Sequence, residues 1–219
     1  MKKLFKRKKW YQKKLFNKKK ILKVIHKFSD DFISFFTQTV NSFSGNLRRR
    51  GAIANMKKGD IILARPRTFV LPLVPLIYRL LLRSQYVHSL LYLGRGNIIH
   101  TTARYGVKID KVPRKIYSKS RYTVYRVKDF DPDLQGEQVV KEALKYKNTK
   151  LDHAGLITNI PARIMGLKKP LMSFEKNRLW CSKLIYQIYK ANHIELVPAK
   201  KTGNITSEDL SKSEVLTKI

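Results

Sequence analysis

Two apolar-rich runs, residues 87–93 and 97–102, are separated only by Gly94-Arg95-Gly96. A gap that short excludes a parallel pairing, whose crossover takes about a dozen residues or more, and leaves an antiparallel hairpin. Gly106 ahead of Val107-Lys108-Ile109 marks a further reversal, and residues 60–65 and 122–127 carry the β-branched and aromatic side chains of strands. Helical spacing begins only afterwards, at residues 134–146, 154–165 and 181–190, followed by a short turn that Thr206 opens with Asp209 at the capping-box position. Strands first and helices afterwards predict an α+β domain, a mostly antiparallel sheet packed against helices.

Ser44-Gly45-Asn46 followed by Arg48-Arg49-Arg50-Gly51 reads as a linker, so the chain divides into an extension, 1–50, and a main domain, 51–219. In the extension Ile21, Ile25, Phe28, Phe32, Phe36, Val40 and Phe43 recur at steps of three or four, one face of an amphipathic helix behind a lysine-rich head. The formal charge of the chain is +32, far beyond what solubility requires, and calls for a polyanionic surface: anionic lipid headgroups or nucleic acid. Lysines gathered beside an apolar stripe favour a membrane, whereas nucleic-acid binding predicts basic and aromatic residues interleaved over a folded face. A helix packed on the main domain behind a solvated basic tail is the plainer alternative. With 43% hydrophobic and 11% aromatic residues the chain has the material for a core and is not a disordered tail.

The positive start at Met1-Lys2-Lys3 leads into no uninterrupted apolar stretch, so no signal peptide is expected. The apolar run at residues 69–78 holds two prolines and meets Arg79, short of the roughly 20 residues of a spanning helix. One cysteine cannot form an internal disulfide. The chain reads as cytoplasmic and peripheral to a membrane, without a transmembrane helix or a cofactor.

Three residues carry the chemistry. Cys181 follows Trp180 at the start of a segment whose Leu184, Ile185, Ile188 and Tyr189 trace one helical face, which puts the sulfur at a helix N-terminus, where the thiolate is favoured. His88 and His100 lie on the two arms of the hairpin and approach as near cross-strand partners, depending on register. One imidazole then contacts the thiol and the other orients it. A lone Cys also reads as a small buried hydrophobe, and each His alone as a hydrogen-bonded sheet residue. Zinc is disfavoured, because close-spaced CxxC or HxxxH pairs are missing.

Gly59-Asp60-Ile61-Ile62-Leu63, Tyr86-Val87-His88-Ser89-Leu90-Leu91-Tyr92-Leu93-Gly94, Ile98-Ile99-His100 and Trp180-Cys181-Ser182, in that order, resemble the signature of circularly permuted NlpC/p60 papain-like proteins, the YiiX/YebB-like branch above all. The similarity runs over residues 56–215. It implies a permuted papain-like fold and a cysteine hydrolase or acyltransferase that opens an amide or ester bond through a thioester. Cys181 would be the nucleophile, His88 the general base and His100 the third polar residue. Tyr86 and Asp152 match family positions and are candidates for substrate binding. Leu151 departs from the pattern where a Tyr often lines the oxyanion site, and a backbone N–H at Cys181 is the substitute. Lecithin:retinol acyltransferase-like proteins share the arrangement, so a peptide or other amide and a lipid acyl group are both substrates to consider. The apolar residues 69–82 either cover an acyl groove or belong to the core.

The extension yields the first prediction. Each lysine near an anionic surface contributes about 1 kcal/mol, screened by salt. Co-sedimentation of the full chain with phosphatidylserine vesicles is expected to weaken as salt rises, and deletion of residues 1–43 to remove most of that salt-sensitive share. Equal binding by the full and shortened chains would refute it.

Overall fold

The protein is seen in a computed structural model that describes residues 55–65, 84–102, 104–112, 122–173, 178–198 and 203–219. The extension 1–50 and the apolar run 69–82 lie outside the described residues.

Six strands, β1 (Ile61–Ala64), β2 (His88–Gly94), β3 (Asn97–Thr102), β4 (Gly106–Lys111), β5 (Tyr122–Val127) and β8 (Leu216–Lys218), form one antiparallel sheet in the order β4-β3-β2-β1-β5-β8. A parallel pair, β6 (Lys150–Leu151) and β7 (Arg178–Leu179), stands apart. Among the described residues the helices are α1 (Leu134–Lys145), α2 (His153–Ile164), α3 (Cys181–Ala191) and the short α4 (Ser207–Ser211). This is the expected α+β architecture, with an antiparallel sheet packed against helices.

The β2–β3 hairpin forms at the predicted turn. Leu90 stands opposite His100, Leu91 opposite Ile99 and Tyr92 opposite Ile98, with a bulge between Tyr92 and Gly94. Gly94, Arg95 and Gly96 all take positive φ, 90°, 51° and 71°, and two glycines make that cheap. Because strand side chains alternate, each strand serves two faces. Ile61, Leu63, Leu91, Ile99, Val107 and Tyr125 pack with Val139 and Ala143 of α1 and with Leu184, Ile185, Ile188 and Tyr189 of α3. Ile62, Ala64, Leu90, Tyr92 and Ile98 form a second cluster with Met56. Leu184, Ile185, Ile188 and Tyr189 are fully buried, so α3 is held by its apolar face, each aliphatic side chain contributing about 1.5–3 kcal/mol.

Asp60, at the entrance to β1, is completely buried and accepts from Arg126 Nε at 2.7 Å, Arg126 Nη2 at 2.8 Å and the Lys57 backbone N–H at 2.7 Å. Arg126 lies on β5, so the pair ties two neighbouring strands of the sheet. Beside it the Tyr189 hydroxyl donates to the Gly59 carbonyl. A Cβ at residue 59 would stand 2.8 Å from the Phe130 ring. At the other edge, Val107 N–H donates to Thr149 O at 2.8 Å and Asn148 N–H to Val107 O at 2.9 Å. A Cβ on Gly106 would stand 2.1 Å from the Thr149 oxygen.

Removing one partner of a buried ion pair leaves the other charge uncompensated, which costs about 3–5 kcal/mol. Arg126→Ala is therefore expected to lower the urea-unfolding free energy by about that amount. The double change Asp60→Asn with Arg126→Met is expected to cost clearly less. Equal losses would show that packing of the arginine, not charge, carries the effect.

Candidate active site

Residues at the end of the β2–β3 hairpin form a hydrogen-bonded chain. His88 Nε2 lies 3.1 Å from His100 Nδ1, and His100 Nε2 lies 2.9 Å from Asp110 Oδ2. Lys108 Nζ reaches the same carboxylate oxygen at 2.8 Å. The hairpin register explains the first contact: His100 faces Leu90, one side-chain step along β2 from His88 on the same face, a diagonal cross-strand pair. The second contact follows from β3–β4 pairing, in which Ile98 faces Asp110 and His100 faces Lys108.

The chain has a polarity. The hydrogen bond from His100, with Lys108 behind it, holds the Asp110 carboxyl down to about 2 despite partial burial, so Asp110 is an acceptor at neutral pH. The tautomer that suits this acceptor has His100 donating from Nε2 and accepting at Nδ1. His88 in turn donates from Nε2, which leaves its Nδ1 as the basic nitrogen. Burial, and secondarily the neighbouring His100, push the His88 pKa down to about 3. The ring is neutral throughout the physiological range, as a general base must be before it works.

Cys181 is the first residue of α3, and Trp180 enters it in extended conformation, φ −101° and ψ 169°. The thiol is buried, 8% exposed. Burial pushes its pKa up, against hydrogen bonds from the backbone of Ser89, the backbone of Ser182 and the hydroxyl of Ser207. The resting group is thus a thiol, and the lowered pKa anticipated from the helix N-terminus gives way to desolvation. Ser207 Oγ also meets Ser89 Oγ at 2.7 Å, which joins α4 to β2 at the sulfur.

The structure joins His88 to His100, as the sequence predicts, and adds Asp110. Cys181 it sets against Ser89 and Ser207. Alternation turns Ser89 toward the helix layer and His88 toward the face of Leu90, Tyr92 and Ile98. Cys181 thus approaches β2 at the backbone of Ser89, the residue next to His88.

Tyr86 and Asp152, the candidates for substrate contact, both make hydrogen bonds within the fold. Tyr86, 5% exposed, stacks edge-on against Tyr125 and donates to Thr123 Oγ1 at 3.0 Å, with Arg65 Nη2 at 3.2 Å from its hydroxyl. Asp152 is fully buried and caps α2, accepting from Gly155 N–H at 3.0 Å and Ser173 Oγ at 2.5 Å. Both are core positions because their polar groups are satisfied within the fold. Asp110 was legible in principle: a register counted back from the Gly106 reversal sets it diagonal to His100. Ser207 was not, since it is brought to the thiol by tertiary packing alone.

The fold is similar to that of YiiX of Escherichia coli O157:H7, with 17% identity over 74% of this chain and 96% of that one and a TM-score of 0.53. The likeness establishes a YiiX-like fold. No family model matches the sequence, and no curated protein does. YiiX is described as a metalloprotein. Among the described residues here, no group of three or more His, Cys, Asp or Glu is placed to hold a metal ion. Both ring nitrogens of His100 are engaged by His88 and Asp110. No helix among the described residues is long and apolar enough to cross a membrane.

A histidine whose folded pKa lies below its unfolded value contributes stability that is complete above about 6.5 and is lost as pH falls toward about 3. Asp110, lowered from 3.8 to about 2, adds a loss at the acid end. The melting temperature is expected to fall between pH 6.5 and pH 4, and His88→Gln to flatten that fall while leaving the profile above pH 7 unchanged. Parallel profiles for the two chains would count against a buried neutral His88.

Proposed function

We propose, from the YiiX-like fold and the meeting of Cys181 with β2 beside His88, that the chain is a cysteine hydrolase or acyltransferase of permuted papain-like type, working on an amide or ester bond. One observation carries the reading: the sulfur of a helix-initial cysteine touches the backbone of the strand residue next to a histidine whose tautomer is set by a carboxylate-anchored relay.

In this reading the His88 ring turns past the strand end to the thiol. Its Nδ1 takes the thiol proton as the sulfur attacks the carbonyl carbon, and the departing amine or alcohol recovers that proton. Water, or an acceptor alcohol or amine, then attacks the thioester and gives its proton to the same nitrogen; the carbon–sulfur bond breaks, the acyl group leaves on the acceptor, and the proton passes from the imidazole to the sulfur to restore the thiol. His100 and Asp110 are positioning residues that set the tautomer of the resting His88 ring, Nε2 protonated and Nδ1 basic, before it turns. The backbone N–H groups at the start of α3 face the developing oxyanion.

A second reading, a lipid- or nucleic-acid-binding protein on the same fold without catalysis, is favoured by one observation. The thiol lies against Ser89, whose side chain alternates with that of His88 to the other face of β2, and desolvation favours the neutral form of both groups.

An acyl-reactive electrophile probe separates the two. Cys181 is expected to be the residue modified, with His88→Ala slowing labelling by about a hundredfold or more, the scale of a lost general base. Asp110→Asn is expected to slow it by about tenfold, since it disturbs orientation without removing the base. A labelling rate indifferent to His88→Ala would sink the catalytic reading and leave the binding one.

A further inference from the structure

Among the described residues nine large hydrophobic side chains are exposed, and four of them fall within eight consecutive positions: Ile164 at 57%, Met165 at 64%, Leu167 at 41% and Leu171 at 50%. Scattered single apolar residues are ordinary on a surface, but a run of this density is not. Lys168 and Lys169, both exposed, lie inside it.

The backbone beneath these side chains is fixed. Helix α2 ends with Gly166 N–H donating to Arg163 O at 3.1 Å and Leu167 N–H to Ala162 O at 2.8 Å, the paired bonds of a Schellman closure with Gly166 at φ 69°. Thr158 Oγ1 bonds both Met172 O at 2.7 Å and Met172 N at 3.0 Å, pinning the far end of the loop. Arg163 donates to Asn204 O at 2.8 Å and to both Asp209 oxygens, at 2.7 and 3.1 Å. A tethered loop that nevertheless holds Ile164, Met165 and Leu167 in water is preorganised for another apolar phase.

We infer that residues 164–171 are a docking wedge that seats on an anionic lipid bilayer, the apolar side chains entering the acyl boundary and Lys168 and Lys169 meeting the headgroups. Charge selects this occupant: the lysines accompany the apolar residues in one loop, and the chain carries a net charge of +32. That mixture matches an interfacial surface with anionic headgroups over hydrocarbon. An apolar protein partner gives no reason for the adjacent cations. The wedge is independent of residues 1–43 and of the thiol chemistry.

The test uses the full chain in a Cys181→Ser background, with an environment-sensitive fluorophore on Met165→Cys and, as control, on Leu144→Cys, an exposed apolar position on α1. The vesicles are phosphatidylglycerol and phosphatidylcholine carrying a quencher on the acyl chain. The 165 probe is expected to shift to the blue and be quenched, the 144 probe to do neither. A second chain, Met165→Asp with Leu167→Asp, is expected to bind the same vesicles about tenfold or more weakly. Three results overturn the inference: no vesicle binding, binding without a response at 165, or a response at 165 that follows protein concentration in the absence of lipid, which would assign the loop to a second copy. Because the probe chain lacks the thiol, none of these bears on the hydrolase reading, which Cys181 labelling decides separately.

Discussion

Asp60 sets a carboxylate fully out of solvent reach, at the point where the chain enters the middle of the sheet. The charge is tolerable only because Arg126 approaches from β5 with two donors and the Lys57 backbone supplies a third. Those bonds fix the start of β1 against β5. From β1 the pairing passes to β2, with Ile61 opposite Leu91 and Ala64 opposite His88, and from β2 to the hairpin that carries the histidines. The Tyr189 hydroxyl on the Gly59 carbonyl fastens the same corner to α3, the helix that begins with Cys181. Both halves of the candidate site are thus referenced to one buried carboxylate more than twenty residues from either histidine.

Within the site, desolvation outweighs every other influence on charge. Cys181 receives hydrogen bonds and stands at a helix start, yet its pKa goes up, and His88 goes down beside a partner that is itself a histidine. The exception is Asp110, whose direct bond from His100 and ion pair with Lys108 beat partial burial. Its fixed charge gives the relay a direction, since a chain of two imidazoles alone has no reason to prefer one tautomer.

The sequence was most readable where a local rule had one solution. Gly94-Arg95-Gly96 could only close a hairpin, and Leu184, Ile185, Ile188 and Tyr189 could only be one face of a helix; both stand as predicted. Thr206 and Asp209 form the reciprocal cap their spacing announced. The short strands β6, β7 and β8 escaped, because two or three residues carry no period and their pairing is decided by partners far along the chain. The histidine pair was visible as a spacing, but which strand face it occupied was a question of parity that the bulge and the pairing with β1 had to settle. Tyr86 and Asp152 were legible as polar residues in a motif-like position, but the internal hydrogen bonds each makes depend on residues far along the chain or on a local cap that the motif does not announce.

Strand β4 is the outermost strand of the sheet on the histidine side, and an edge strand invites a second chain to add itself. Here the invitation is withdrawn at the N-terminal end, where Thr149 and Asn148 already occupy the outward N–H and carbonyl of Val107. Only glycine at 106 lets that covering segment come close enough. Any side chain there would push the covering segment away and leave the outward N–H and carbonyl of Val107 unpaired, so a single missing Cβ decides whether this end of the edge is closed to a second chain.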